Sequence, residues 1–368
     1  MFVYITMLAL WGITAFCAAC SPFYFNRDND QYHVIHSNLQ RKIMIFYAIS
    51  LIIIIGLRDE QVGSDTIGYM RDYLYWGNIE ISNLKFSLDI ELGYKCLQRI
   101  FTILGLNWQQ FLFFTAIVMI GCFSFLVKKY SCYAFAPYFL YVTIGLFAMN
   151  MTGIRQSLAV ALCLIAYYFA EKRRKLLFFL CVAIAVTIHF SALCFFPIYF
   201  IFFIKKPSKK ILSMFLFLPA VTRLSSLFLN QILYHFAFGR YIGNGYFDDL
   251  NLQLNILAEL FPLSILLLGY VFLIIKSEIA SREFHLFIMT SIYASAYQLT
   301  HAVYMAGRLN FFFSPFMVLF LGNIIYSIKD SRVRFFSYAA MIFVSIMFFC
   351  ITIPDSSYRM DNYMFFWN

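Results

Sequence analysis

The chain has 368 residues, of which 62% are hydrophobic and only 12% charged, with a mean hydropathy of +0.76. Soluble globular chains carry roughly 45–50% apolar and about 25% charged residues, so a soluble fold is excluded and the chain belongs in a bilayer. The net charge of +10 does not mark a nucleic-acid binder, because the basic residues fall in short clusters between apolar runs. Pro and Gly, at 8 and 16, leave no room for a disordered or Gly-rich region.

A helical crossing of about 30 Å takes roughly 20 apolar residues. Twelve such segments follow one another: 2–20, 43–57, 108–127, 133–150, 154–170, 176–189, 190–204, 211–230, 257–275, 284–301, 309–328 and 335–353. Long unbroken runs such as 111–127 lack the strict alternation of a porin-type barrel. The reading is an all-α, polytopic single transmembrane domain over 1–368, with about 12 crossings. No basic residue precedes the first segment and no small-residue cleavage site follows it, so it is expected to remain attached.

Lys and Arg in short loops favour the cytoplasmic side. Clusters at Arg41-Lys42, Lys128-Lys129, Lys172 to Lys175, Lys205 to Lys210, Lys276 with Arg282, and Lys329 with Arg332 and Arg334 are therefore placed inside, with both ends of the chain outside. The weakest part is 176–204, a 29-residue stretch flanked by basic clusters. Two helices of about 14 residues reach only about 21 Å each, so a short re-entrant-like hairpin turning at His189 is preferred to one tilted crossing. The outer loops, 58–107 and 233–256, are long enough to hold structure, and the aromatic-rich first one suits the membrane interface.

Three arginines remain on the outer side at segment ends: Arg58, Arg155 and Arg308. An arginine fork binds phosphate oxygens bidentately and keeps its charge. Several together would clamp a pyrophosphate and stabilise charge as it leaves; singly, each pairs with an outer acid or snorkels to the interface. Gly63-Ser64-Asp65 offers a carboxylate as base, or a turn with Asp65 as a helix N-cap. His189 is a second base, or a hydrogen-bonded packing residue. The nine cysteines lie in apolar runs and read as small core residues. Asp30, His33 and His36 make no convincing metal set, and no phosphate-loop, dinucleotide or serine-hydrolase motif is present. Neither a metal nor a cofactor is expected.

Gly56-Leu57-Arg58, Val62-Gly63-Ser64-Asp65-Thr66 and Tyr69 are followed by Glu91-Leu92-Gly93-Tyr94, Ile154-Arg155-Gln156-Ser157-Leu158-Ala159, His189-Phe190-Ser191-Ala192-Leu193 and Arg308. Over about residues 40–320 this order resembles the EpsG family of Wzy-type (O-antigen) polysaccharide polymerases. Asp59-Glu60 and Phe190 depart from the family's usual residues. The resemblance implies an enzyme: a membrane glycosyltransferase joining oligosaccharide repeat units carried on undecaprenyl pyrophosphate, at the outer face of the bacterial cytoplasmic (inner) membrane, in pathways such as lipopolysaccharide assembly. It implies Asp65, His189 or Glu91 as the acid–base group and Arg58, Arg155, Gln156, Arg308, Arg240 and Tyr69 around the substrate. It further implies the bilayer and a chain-length regulator as partners, with no nucleic acid. A flippase or exporter of the same lipid-linked sugar, or an O-antigen ligase, is the alternative.

Overall fold

The computed structural model describes residues 2–19, 38–80, 83, 91–204, 207–236, 256–276, 279–300, 307–352, 359–360 and 362–367. Among these residues the regular structure is helical, apart from one isolated antiparallel bridge between Arg58 and Phe365. The helices are α1 (Phe2–Ala19), α2 (Asn38–Gly56), α3 (Thr66–Trp76), α4 (Leu92–Ile103), α5 (Trp108–Tyr130), α6 (Phe135–Thr143), α7 (Leu146–Thr152), α8 (Ile154–Glu171) and α9 (Lys175–Ile188). A 3₁₀ turn (Phe190–Phe195) and the single-turn α10 (Ile198–Ile201) follow, then α11 (Lys209–Phe236), α12 (Ile256–Ile275), α13 (Ser281–Leu299), α14 (Gly307–Ser327) and α15 (Ser331–Thr352).

Each of the twelve apolar segments meets helix, 190–204 only as a 3₁₀ turn and a single α-turn, and among the described residues only α2, α5, α8, α14 and α15 are individually long and apolar enough to cross a membrane. The α6–α7 pair makes a sixth if counted as one span bent by 57°. Gly145, at φ +86°, supplies the break, since a left-handed backbone suits glycine and ends a helix. The chain divides into two compact units, residues 1–199 with 325–368, and residues 200–324, where hydropathy alone suggests one domain.

The first unit has two distinguishable ends. At one, Tyr4 packs edge-on against Phe147 and Tyr363, at 5.4 and 5.6 Å, and the Tyr363 hydroxyl donates to the Ile54 carbonyl at 2.9 Å. Gln109 reaches the Gly56 carbonyl at the same end, 2.6 Å away. At the other end the Tyr130 hydroxyl donates to Glu171 at 2.9 Å, and Tyr133 packs against Tyr338 at 6.0 Å. Lys128, Lys129 and the run Lys172 to Lys175 lie at this second end. The stretch 176–199 does reverse at His189: Phe179 stacks on Phe196 and Phe178 meets Tyr199, as an antiparallel hairpin requires.

In the second unit, Ser213 on α11 shares a 2.8 Å hydrogen bond with Tyr270 on α12, and Lys276 pairs with Glu283 at 2.6 Å. Phe287 of α13 packs edge-on against Phe320 of α14 at 5.9 Å. All described cysteines are free; Cys163 is buried, whereas Cys17 and Cys350 lie on the outer surface of their helices.

Candidate active site

The loop after α2 is built around Arg58, whose side chain is fully buried. Its Nε donates to the Val62 carbonyl at 3.2 Å, Nη2 to the Met151 carbonyl at 2.9 Å, and Nη1 to the Ile55 carbonyl. Met151 lies in the last turn of α7, where carbonyls lose their intrahelical partners and a cation is favourable. The Thr66 hydroxyl serves the Met151 and Val62 carbonyls as well, at 3.1 and 2.8 Å. Gly63 passes so close that a Cβ would come within 2.6 Å of the Met151 oxygen, and its φ of +97° favours glycine independently. Burial pulls the Arg58 guanidinium down to about 10, with nearby tyrosines acting the other way, so it stays charged at neutral pH. Arg58, expected to grip phosphate, thus has its three side-chain nitrogens on backbone oxygens, where it ties the Gly-Leu-Arg and Val-Gly-Ser-Asp-Thr runs to the end of α7.

A few residues along, α8 begins after Gly153 and places Arg155 in its first turn. Arg155 Nη1 donates to Glu91 Oε2 at 3.0 Å, and its guanidinium carbon lies 5.7 Å from the centre of the Tyr69 ring. The other carboxylate oxygen of Glu91 lies 2.9 Å from His189 Nδ1 and accepts the Phe190 backbone N–H at 3.0 Å. Glu91 precedes α4 and His189 ends α9, so two helix ends must meet. Gly93 permits it: a Cβ there would sit 2.3 Å from the Thr187 hydroxyl and 2.7 Å from its carbonyl oxygen.

The side chains of Glu91 and His189 are each 12% exposed and that of Arg155 21%. Burial acts to raise the Glu91 carboxyl, but hydrogen bonds from His189 and the Phe190 N–H outweigh it and hold the group at about 2. Glu91 is thus an anion across the neutral range. An anion on one ring nitrogen fixes the tautomer that carries its proton there and leaves a lone pair on the other. That other atom, His189 Nε2, is buried with no hydrogen-bond partner.

Tyr69, Asp72, Tyr73 and Trp76 share one face of α3, and Glu91, Tyr94, Lys95 and Gln98 one face of α4 or its approach, at helical spacing. Tyr69 and Tyr94 meet edge-on at 6.0 Å, and the buried Lys95 ammonium lies 4.1 Å from the Trp76 ring centre. Sequence reasoning did not single out Lys95, and it offered Asp72, with Asp59 and Asp65, only as an outer acid for an arginine to pair with; the polar residues recurring at 91, 94, 95 and 98 were the available signal.

The remaining candidates lie elsewhere. Asp65 occupies the N-cap position of α3 without a capping hydrogen bond, exposed beside the Ser64 hydroxyl at 3.3 Å. Gln156 is buried in α8. Arg308 is exposed in the first turn of α14, in the second unit. Arg240, Asp30, His33 and His36 lie outside the described residues. Among the described residues no group of three or more His, Cys, Asp or Glu is arranged to hold a metal ion.

A helical bundle with membrane-length apolar helices, holding a half-enclosed histidine–carboxylate–guanidinium cluster, defines the class: a multi-pass membrane protein. The model of the EpsG family matches residues 41–367, and the chain belongs to that family, which points to a membrane glycosyltransferase of polymerase type. No curated protein and no solved structure matches the chain.

Proposed function

We propose that the chain is a polysaccharide polymerase that joins oligosaccharide units carried on undecaprenyl pyrophosphate, with His189, Glu91 and Arg155 as its reacting centre. The observation that carries this reading is the His189 ring, held through Nδ1 by an ionised Glu91 whose other oxygen binds Arg155, with Nε2 buried and unpartnered. In the reaction, a hydroxyl of the acceptor sugar attacks the anomeric carbon of the donor chain and passes its proton to His189 Nε2. The bond from anomeric carbon to pyrophosphate oxygen breaks, and the lipid pyrophosphate leaves with the electron pair. Arg155 stabilises the charge on that leaving group. Tyr69 flanks the sugar. The twelve helical segments cross the inner membrane with the site on the outer, periplasmic face, away from the basic loops.

The test supplies the purified chain in lipid with synthetic polyprenyl-pyrophosphate-linked repeat units and resolves the products by size. A ladder of lengthening glycans is expected, with His189→Ala slower by about 10²–10⁴-fold and Arg155→Ala abolishing growth while the protein still accumulates. Transbilayer movement of the lipid-linked sugar without a ladder would favour the flippase, and a wild-type ladder from His189→Ala would remove the proposed base.

A further inference from the structure

Helix α4 is turned inside out. Tyr94, Lys95 and Gln98 are buried, while Ile100, Ile103 and Leu104 are 46%, 58% and 66% exposed. The inward face of this helix therefore faces the cluster, and Lys95 is its least expected member, since a buried ammonium is costly to place. The Trp76 face lies 4.1 Å from it, a favourable cation–π contact.

On α3 the carboxylate in this register is Asp72. It lies four residues before Trp76 and three after Tyr69, on one face of α3, with Trp76 against Lys95 and Tyr69 against Arg155. The group is half-buried, and burial, the larger influence, raises its carboxyl from the ordinary value while Arg155 and Lys95 pull it back. Glu91 is already engaged by Arg155, His189 and the Phe190 N–H. Without Lys95, the charges of Asp72 and Glu91 would leave the surroundings of Arg155 more negative and repel a diphosphate.

We propose that Lys95 is a positioning residue: it holds the charge of Asp72 and thereby keeps Arg155 positive toward the pyrophosphate of the lipid-linked sugar. This rests on the function proposed above. Charge control predicts opposite signs for the two partners, whereas a merely structural pair predicts that removing either does harm.

The full-length chain in nanodiscs is titrated with undecaprenyl pyrophosphate. Lys95→Met is expected to weaken binding about tenfold or more. Asp72→Asn binds as tightly as the wild type or tighter, and the double variant returns to within about threefold of wild type. Asp72→Asn weakened as much as Lys95→Met, or a double variant no better than Lys95→Met, overturns the proposal. Should Lys95→Met fail to accumulate, the sign for Asp72→Asn decides, alongside Lys95→Arg, which is expected to bind near wild type. A wild type that ignores the lipid, or binds it equally after Arg155→Gln, overturns the parent reading and the pairing with it. Binding lost in Arg155→Gln but weakened by Asp72→Asn overturns the pairing alone.

Discussion

Arg58 and Arg155 are the same residue type at the same kind of position, the outer edge of an apolar segment, yet their guanidinium groups have different work. Arg155 faces a carboxylate and is partly exposed, whereas Arg58 faces the carbonyls of Ile55, Val62 and Met151 in the interior. Each buried carbonyl deprived of its donor costs about 1–3 kcal/mol, so Arg58→Met is expected to lose about 3 kcal/mol or more of stability. The folded fraction should retain its affinity for undecaprenyl pyrophosphate. Thermal unfolding in detergent, paired with lipid titration at low temperature, checks this; unchanged stability with lost binding would return Arg58 to the ligand. Sequence shows that both arginines are costly to bury, but Arg58's partner at Met151 lies 93 residues away and exists only because α7 ends there. Glu91 and His189, by contrast, are legible as titratable groups in short motifs, while their mutual contact is not.

The contact depends on elements, and its hinge is Gly93. Glu-Leu-Gly-Tyr reads as a short run before an interfacial helix, and no periodicity reveals that the glycine stands where α4 approaches the end of α9. Alanine at 93 would press on the Thr187 hydroxyl and carbonyl, moving the start of α4 and with it Glu91. A displacement of about 1 Å can cost on the order of 10²-fold in rate, and a loss of that order is expected for Gly93→Ala with helical content preserved. Thr187→Ala in the same chain removes the hydroxyl contact but leaves the carbonyl, so rescue should be partial; full activity in Gly93→Ala alone would show that the helices have room. The same scale separates what hydropathy can and cannot report. Apolar runs locate α2, α5 and α8 within a few residues, since lipid demands continuous apolar length. They miss the inward polar face of α4, whose outward side is apolar because its surroundings are, and they overlook the break at Gly145 inside one continuous apolar run.

At the scale of the whole molecule, the question is which end of the first unit faces out. Charge clusters suggest an answer from sequence, but they do not reveal the division into two units, because hydropathy changes little at residue 200. Packing adds an independent constraint. Residues 359–360 and 362–366 run along the first loop, with Asp59 N–H bonded to the Met364 carbonyl at 2.9 Å, Phe366 N–H to the Leu57 carbonyl at 3.0 Å and Gly63 N–H to the Arg359 carbonyl at 3.2 Å. Tyr363 touches Tyr4, so the beginning of α1, the loop after α2 and residues 362–366 must share one side of the membrane. The basic residues Lys128, Lys129 and Lys172 lie at the other end of the same unit, and lysine-rich loops resist translocation. In a cysteine-free background, single cysteines at the exposed positions Glu60 and Asn362 are therefore expected to react with a membrane-impermeant maleimide on intact cells. Cysteines at Lys172 and Arg332, also exposed, should react only after the membrane is opened. The reverse pattern would turn the cluster of His189, Glu91 and Arg155 toward the cytoplasm, where the proposed chemistry at the outer face has no place. Opposite behaviour of Glu60 and Asn362 would instead break the strand-like contact between the loop and the last residues.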